Sequence, residues 1–206
     1  MSAPEPVWDY RIPVWTIRAV LGAMRGMARE GIENLPRRGP LIVAANHVSV
    51  MDPPLIGVVV NEVRYPHFVG KEELFRTPVF GDLLRRWGVI PLGRGRGDVR
   101  AVRGALGVLK AEGCMVVFPE GTRSRTGLPG RPKPGIGLLA RESGALVVPA
   151  RVLNTERWFR RGRLTVRFGA PLRYEAASPG GGETADGGRR ADRRFAQKVM
   201  EEILRL

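Results

Sequence analysis

The chain has 206 residues, 43% of them hydrophobic, which suits one domain with a sizeable core. Its 34 Lys and Arg against 20 Asp and Glu leave +14, a field that draws phospholipid surfaces, nucleic acid, phosphorylated metabolites or acidic carrier proteins. One cysteine excludes an internal disulfide, and two histidines with that cysteine do not make a zinc site, so no metal is expected.

The N-terminus lacks a basic start followed by an apolar core, so no signal peptide is expected. No uninterrupted apolar run approaches the roughly 18 residues of a membrane-spanning helix. Residues 1–34 are expected to form an N-terminal amphipathic segment, with a helix from Pro13 to Glu30. Val14, Ile17, Val20, Leu21, Met24 and Met27 line its apolar side, with Arg18, Arg25 and Arg29 interspersed. Such a helix packs on the domain or lies among lipid headgroups.

Residues 35–174 are expected to form the main α/β domain. Leu41-Ile42-Val43-Ala44-Ala45 is a short apolar run after a turn, the pattern of a buried strand. Pro53 and Pro54 suit the first turn of the next helix, where a missing N–H costs little. A short strand ends at Lys71, and a further one, Gly88 to Leu92, empties into a Gly/Arg loop. Asp98 is a good N-cap for a helix with Val99, Val102, Leu106 and Leu109 at helical spacing. Met115 to Phe118 is another buried strand, and Cys114 at the head of the same apolar run is packing rather than a nucleophile. A helix over 136–142, a strand over 145–152 and an edge strand over 164–168 follow. Residues 175–188 are a flexible Gly-rich loop, and residues 189–206 a helix packed on the domain. Strands alternating with helices imply a mainly parallel or mixed sheet flanked by helices on both faces.

His47 and Asp52 thus fall between the C-terminal end of a strand and the start of a helix, where α/β sheets bind ligands. If the loop curls back, the carboxylate holds one ring nitrogen's proton and leaves the other nitrogen as a base toward a hydroxyl or a nucleophile. A loop position predicts that His47→Ala or Asp52→Ala abolishes turnover and leaves the fold intact. Two further strand ends carry polar residues on sharp turns, at Arg94 and at Glu120 to Arg123, and parallel strands would bring all three to one edge.

Asn46-His47-Val48-Ser49-Val50-Met51-Asp52 and Phe118-Pro119-Glu120-Gly121-Thr122-Arg123-Ser124 resemble the two long motifs of the glycerolipid acyltransferase family, which includes the bacterial 1-acyl-glycerol-3-phosphate acyltransferases. The block from Lys71-Glu72-Glu73-Leu74 through Pro78 and Gly81 to Arg94 is similar to that family's second motif, and Val148-Pro149-Ala150 to its fourth. The resemblance covers about residues 35 to 170. It implies transfer of a fatty acyl group from a thioester to a hydroxyl of a phosphate-bearing glycerol lipid. His47 would be the general base and Asp52 its orienting partner, with no acyl-enzyme. Ser49 is then a helix-start cap or hydrogen-bond partner rather than a nucleophile.

For the acceptor's phosphate, Arg123 is the first choice, because guanidinium pairs with phosphate in a bidentate manner. Arg94 is second and Lys71 third. Gly121 would let the backbone approach, Thr122 would donate a hydroxyl, Glu120 would bind the glycerol hydroxyl or hold an Arg, and Asn46 and Ser49 join the substrate-binding set. Relatives often carry an acidic residue where this chain has Gly93, which loosens the assignment of Arg94.

The expected activity is acylation of lysophosphatidic acid to phosphatidic acid, by a peripheral protein on the cytoplasmic face of the cell membrane. The donor would be an acyl-CoA or acyl carrier protein thioester, the surface an anionic phospholipid membrane, and no cofactor would be needed. Another acceptor (glycerol-3-phosphate, another lysophospholipid or a glycolipid) is the nearer alternative. A nucleic-acid-binding module is the distant one; 7% aromatic residues show no stacking pattern, and no nucleic-acid partner is expected.

Overall fold

The computed structural model describes residue 19 and residues 26–93, 98–124, 130–156, 163–175 and 185–206. Its strands are β1 (Met27–Glu30), β2 (Leu41–Ala45), β3 (Pro66–Lys71), β4 (Ile90–Leu92), β5 (Cys114–Val117), β6 (Leu146–Leu153) and β7 (Leu164–Phe168). Between and after them lie helices α1 (Asp52–Val60), α2 (Phe80–Arg86), α3 (Val99–Lys110), α4 (Gly135–Ser143) and α5 (Ala185–Arg205).

The described strands form one sheet in the order β1-β7-β6-β2-β5-β3-β4. From β6 to β4 every neighbouring pair is parallel, so five strands point their C-terminal ends at one edge. β7 runs antiparallel to β6, and β1 parallel to β7. This is the mixed, helix-flanked α/β sheet that the alternation of elements implies.

β2 lies at the centre, and all five of its residues are buried. Leu41, Val43 and Ala45 pack with Leu55, Ile56, Val59 and Val60 of α1 on one face. Ile42 and Ala44 pack on the other with Ala105 and Leu109 of α3, Ile136 and Ala140 of α4, and Val199 and Ile203 of α5. A strand covered on both faces is apolar at every position instead of alternating, which is why the 41–45 run carried so clear a signal. Pro53 and Pro54 sit at the start of α1, and Asp98 Oδ1 caps α3 by accepting from the N–H groups of Arg100 (3.0 Å) and Ala101 (3.3 Å). Cys114 is buried, and that burial pushes its thiol up to about 12, consistent with a packing role.

Three expectations are corrected. The N-terminal helix does not reach Glu30: Gly26 is left-handed, and Met27–Glu30 is an edge strand paired with Leu164 to Arg167. The rest of the expected amphipathic helix, residue 19 apart, lies outside the described residues. β7 is therefore not an edge, because β1 covers its free side. The C-terminal helix begins at Ala185, so residues 185–188, expected in the Gly-rich loop, are helical, and 176–184 lie outside the described residues.

His67 of β3 is 2% exposed, with Tyr65 edge-on at 4.9 Å. Burial pushes its imidazole below the ordinary 6.5, against a smaller upward effect of a hydrogen bond with the Gly88 backbone. The unfolded chain therefore takes up this proton first, and stability is lost as pH falls below about 6.5. Urea unfolding at pH 7.5 and 5.5 should show that loss, and His67→Phe should reduce it. Equal losses in both proteins would remove His67 as the cause.

Candidate active site

Because β2, β5 and β6 run parallel, the segments leaving their C-terminal ends meet over one edge of the sheet. The loop after β2 curls as expected. Asp52 opens α1 and is fully buried, and its Oδ2 lies 2.9 Å from His47 Nδ1. A carboxylate oxygen only accepts, so Nδ1 carries a proton, and in the neutral imidazole Nε2 keeps a lone pair. The same Oδ2 accepts from the N–H groups of Val48 and Ser49, both at 2.7 Å. Thr155, just past β6, donates its hydroxyl to Asp52 Oδ1. The imidazole stacks on Phe118 with ring centroids 4.3 Å apart.

The segment after β5 grips the His47 backbone twice. Glu120 Oε1 accepts from the His47 N–H at 3.0 Å, and the Ser124 N–H donates to the His47 carbonyl at 2.8 Å. Gly121, Thr122 and Arg123 form the exposed arc between those two anchors. Gly121 is left-handed (φ 70°), and a Cβ on it would lie 2.7 Å from Lys133 Nζ, so the lysine ammonium rests against the arc. Among the described residues no carboxylate pairs with Lys133 or Arg123. Two uncompensated cations therefore flank a glycine-opened backbone beside the His47–Asp52 pair.

His47, Asp52, Glu120 and Ser124 are thus brought together, with Gly121, Thr122 and Arg123 at the rim. Several expected roles change. Glu120 is buried and holds no arginine: its two oxygens accept from the His47 and Gly130 N–H groups (3.0 and 2.7 Å), so it organises the loop. Asn46, grouped with the substrate-binding residues, turns to β6 instead, donating to the Val152 carbonyl (3.0 Å) and accepting from the Val152 N–H (2.7 Å). It extends the β2–β6 ladder past the strand end. Of the two roles expected of Ser49, the structure shows a hydrogen-bond partner and not the cap: it is buried and accepts from the Met51 N–H at 3.2 Å, and the α1 N-cap is Met51. Lys71 is exposed at the C-terminal end of β3, on the same edge but two strands away from β2. Arg94 lies outside the described residues.

Sequence reasoning missed Thr155 and Lys133. Thr155 lies 103 positions along the chain from Asp52, and Lys133, though near Gly121 in sequence, belongs like Thr155 to no recognised motif. Among the described residues no three His, Cys, Asp or Glu side chains cluster as a metal site.

A family model described as Acyltransferase matches residues 27–153. This chain belongs to the acyltransferase family. It is 33% identical over 129 residues to the 1-acyl-sn-glycerol-3-phosphate acyltransferase LPAT1 of Arabidopsis thaliana chloroplasts, covering 61% of this chain and 35% of that protein. It is 25% identical over 166 residues to the 1-acyl-sn-glycerol-3-phosphate acyltransferase of Bacillus subtilis, covering 79% and 82%. The crystal structure of the 1-acyl-sn-glycerophosphate (LPA) acyltransferase PlsC from Thermotoga maritima superposes with a TM-score of 0.68 at 28% identity, over 93% of this chain and 78% of that one. The chain spans about a third of the length of the chloroplast relative. The matched segment runs from β1 into β6, so it contains the His47–Asp52 pair and both motif loops. It stops just short of Thr155.

Proposed function

We propose that this acyltransferase moves a fatty acyl group from an acyl thioester to the free hydroxyl of lysophosphatidic acid, giving phosphatidic acid. The observation that carries the proposal is the placement of His47. Its Nδ1 is tied to Asp52, and its backbone is held at both ends by the loop that presents Arg123 and, against Gly121, Lys133.

Nε2 of His47 accepts the proton of the acceptor hydroxyl as that oxygen attacks the thioester carbonyl carbon. Asp52 supports the positive charge that forms on the ring. The tetrahedral intermediate collapses with cleavage of the C–S bond, and the imidazolium returns its proton to the departing thiolate. The thioester is already activated, so neither a covalent acyl-enzyme nor a cofactor is required. Arg123 grips the acceptor's phosphate with its planar fork, and the Lys133 ammonium adds a point charge, together matching a phosphate dianion.

The acceptor is itself a lipid, and the net charge of +14 favours an anionic surface. Among the described residues no helix is long and apolar enough to cross a membrane. We place the protein peripherally, on the cytoplasmic face of the membrane, where an acyl-CoA or acyl carrier protein thioester reaches it.

The test is product formation read by mass spectrometry, from purified protein given each donor type and a panel of acceptors. Phosphatidic acid from lysophosphatidic acid is expected. Arg123→Ala should raise the acceptor KM roughly 10- to 100-fold, the value of a charged hydrogen-bonded contact, with the donor KM held. Acylation of a phosphate-free acceptor alone, or a raised donor KM with an unchanged acceptor KM, would overturn the phosphate-bearing acceptor.

A further inference from the structure

Asp52 bonds are unevenly divided between its two oxygens. Oδ2 takes three donors: His47 Nδ1 and the N–H groups of Val48 and Ser49. Oδ1 takes a bond from Thr155. Three bonds converging on one oxygen fix where that atom sits but leave the carboxylate plane soft, because the terminal torsion of an aspartate has a broad energy profile. A bond on the second oxygen fixes the plane, and with it the direction in which Oδ2 meets the imidazole.

Thr155 is built for that contact. It and Asp52 are both completely buried, so the hydroxyl has no water to bond in place of the carboxylate. The residue before it, Asn154, is left-handed (φ 67°) and donates its side-chain N–H to the Arg163 carbonyl at 2.8 Å, which ties the chain just after β6 to the residue just before β7. Three residues upstream, Val152 is held by both ends of the Asn46 amide. The end of β6 therefore clamps the 46–52 loop at its entrance, through Asn46, and at its exit, through Asp52.

We propose that Thr155 is the positioning residue of this site: its hydroxyl holds the Asp52 carboxylate in the plane that keeps His47 Nε2 aimed at the reacting hydroxyl. Thr155 touches no reactant and acts through Asp52. The proposal rests on His47 and Asp52 being the reacting pair.

Two opposed substitutions separate positioning from packing. Thr155→Val keeps the volume and removes the donor, whereas Thr155→Ser keeps the donor and removes a methyl group. Thr155→Val should lower kcat at least tenfold, toward the ~10²-fold cost of an ångström-scale misplacement, with both KM values within about twofold. Thr155→Ser should recover kcat to within about threefold of the parent, even where its melting temperature is the lower of the two. If the valine variant does not fold, Thr155→Cys, a weak donor of similar volume, carries the same comparison. Full-rate turnover by Thr155→Val, or equal losses in the valine and serine variants, would overturn the proposal.

A second readout does not depend on turnover. The Nδ1–H proton of His47 is followed by NMR and assigned by its absence in His47→Ala. It should move in Thr155→Val and return in Thr155→Ser. If His47→Ala remains active, the reacting-pair assignment falls; an Nδ1–H signal unmoved in Thr155→Val would overturn the role of Thr155 separately.

Discussion

His47→Ala should lower kcat by roughly 10²- to 10⁴-fold, the range of a positioned general base, while the protein stays folded. The imidazole is partly exposed, at 16% for its side chain, and its main packing partner is the Phe118 ring. Losing one such stacked pair costs about 0.5–1.5 kcal/mol beyond the area involved. In a domain of this size that lowers the melting temperature by only a few degrees. The bonds that locate the loop come from the His47 backbone, to Glu120 and Ser124, and survive truncation. Asp52 keeps the Val48 and Ser49 amides and the Thr155 hydroxyl. The expected result is therefore a nearly native melting curve with almost no phosphatidic acid from lysophosphatidic acid. Wild-type turnover in the variant would end the dyad argument, and a collapsed melting curve would assign His47 to the fold.

What the chain shows without coordinates depends on how local each signal is. The 41–45 run is apolar at every position because both faces of β2 are covered, and Asp98 opens α3 because a cap acts within three residues. His47 and Asp52 were legible because a five-residue loop can close on itself. Glu120 was found through its motif, but its role was not, because its backbone partner lies 73 positions away. Thr155 is 103 positions from Asp52 and has no local pattern to mark it. β1 was missed for a related reason: Met27 fits helical spacing as well as a short strand, and the choice is made by β7, more than 130 residues later. That distant pairing also makes β7 an inner strand.

Asp52 should behave differently from His47, contrary to what a loop position alone predicts. It is fully buried and satisfies two backbone amides and a threonine hydroxyl besides the imidazole. Asp52→Ala leaves those three groups without that acceptor, two of them on the buried Ser49 and Thr155. At about 1–3 kcal/mol per buried unsatisfied group, the loss is roughly 3–6 kcal/mol after partial relaxation, a large share of the 5–15 kcal/mol that usually holds a domain together. The melting temperature should fall by about 10 °C or more, and turnover should be lost. Asp52→Asn separates the two roles. Its carbonyl oxygen, placed where Oδ2 was, still accepts from Val48, Ser49 and His47 Nδ1, and the Thr155 hydroxyl rotates to accept from the new N–H. Only the negative charge is gone. The asparagine variant should melt within a few degrees of the parent, with kcat reduced on the order of 10²- to 10³-fold, because nothing then stabilises the imidazolium formed during proton transfer. Thermal melts and initial rates on the parent and both variants decide the matter. An alanine variant as stable as the parent would show that the buried donors find other partners. A full-rate asparagine variant would show that His47 works without the charge behind it.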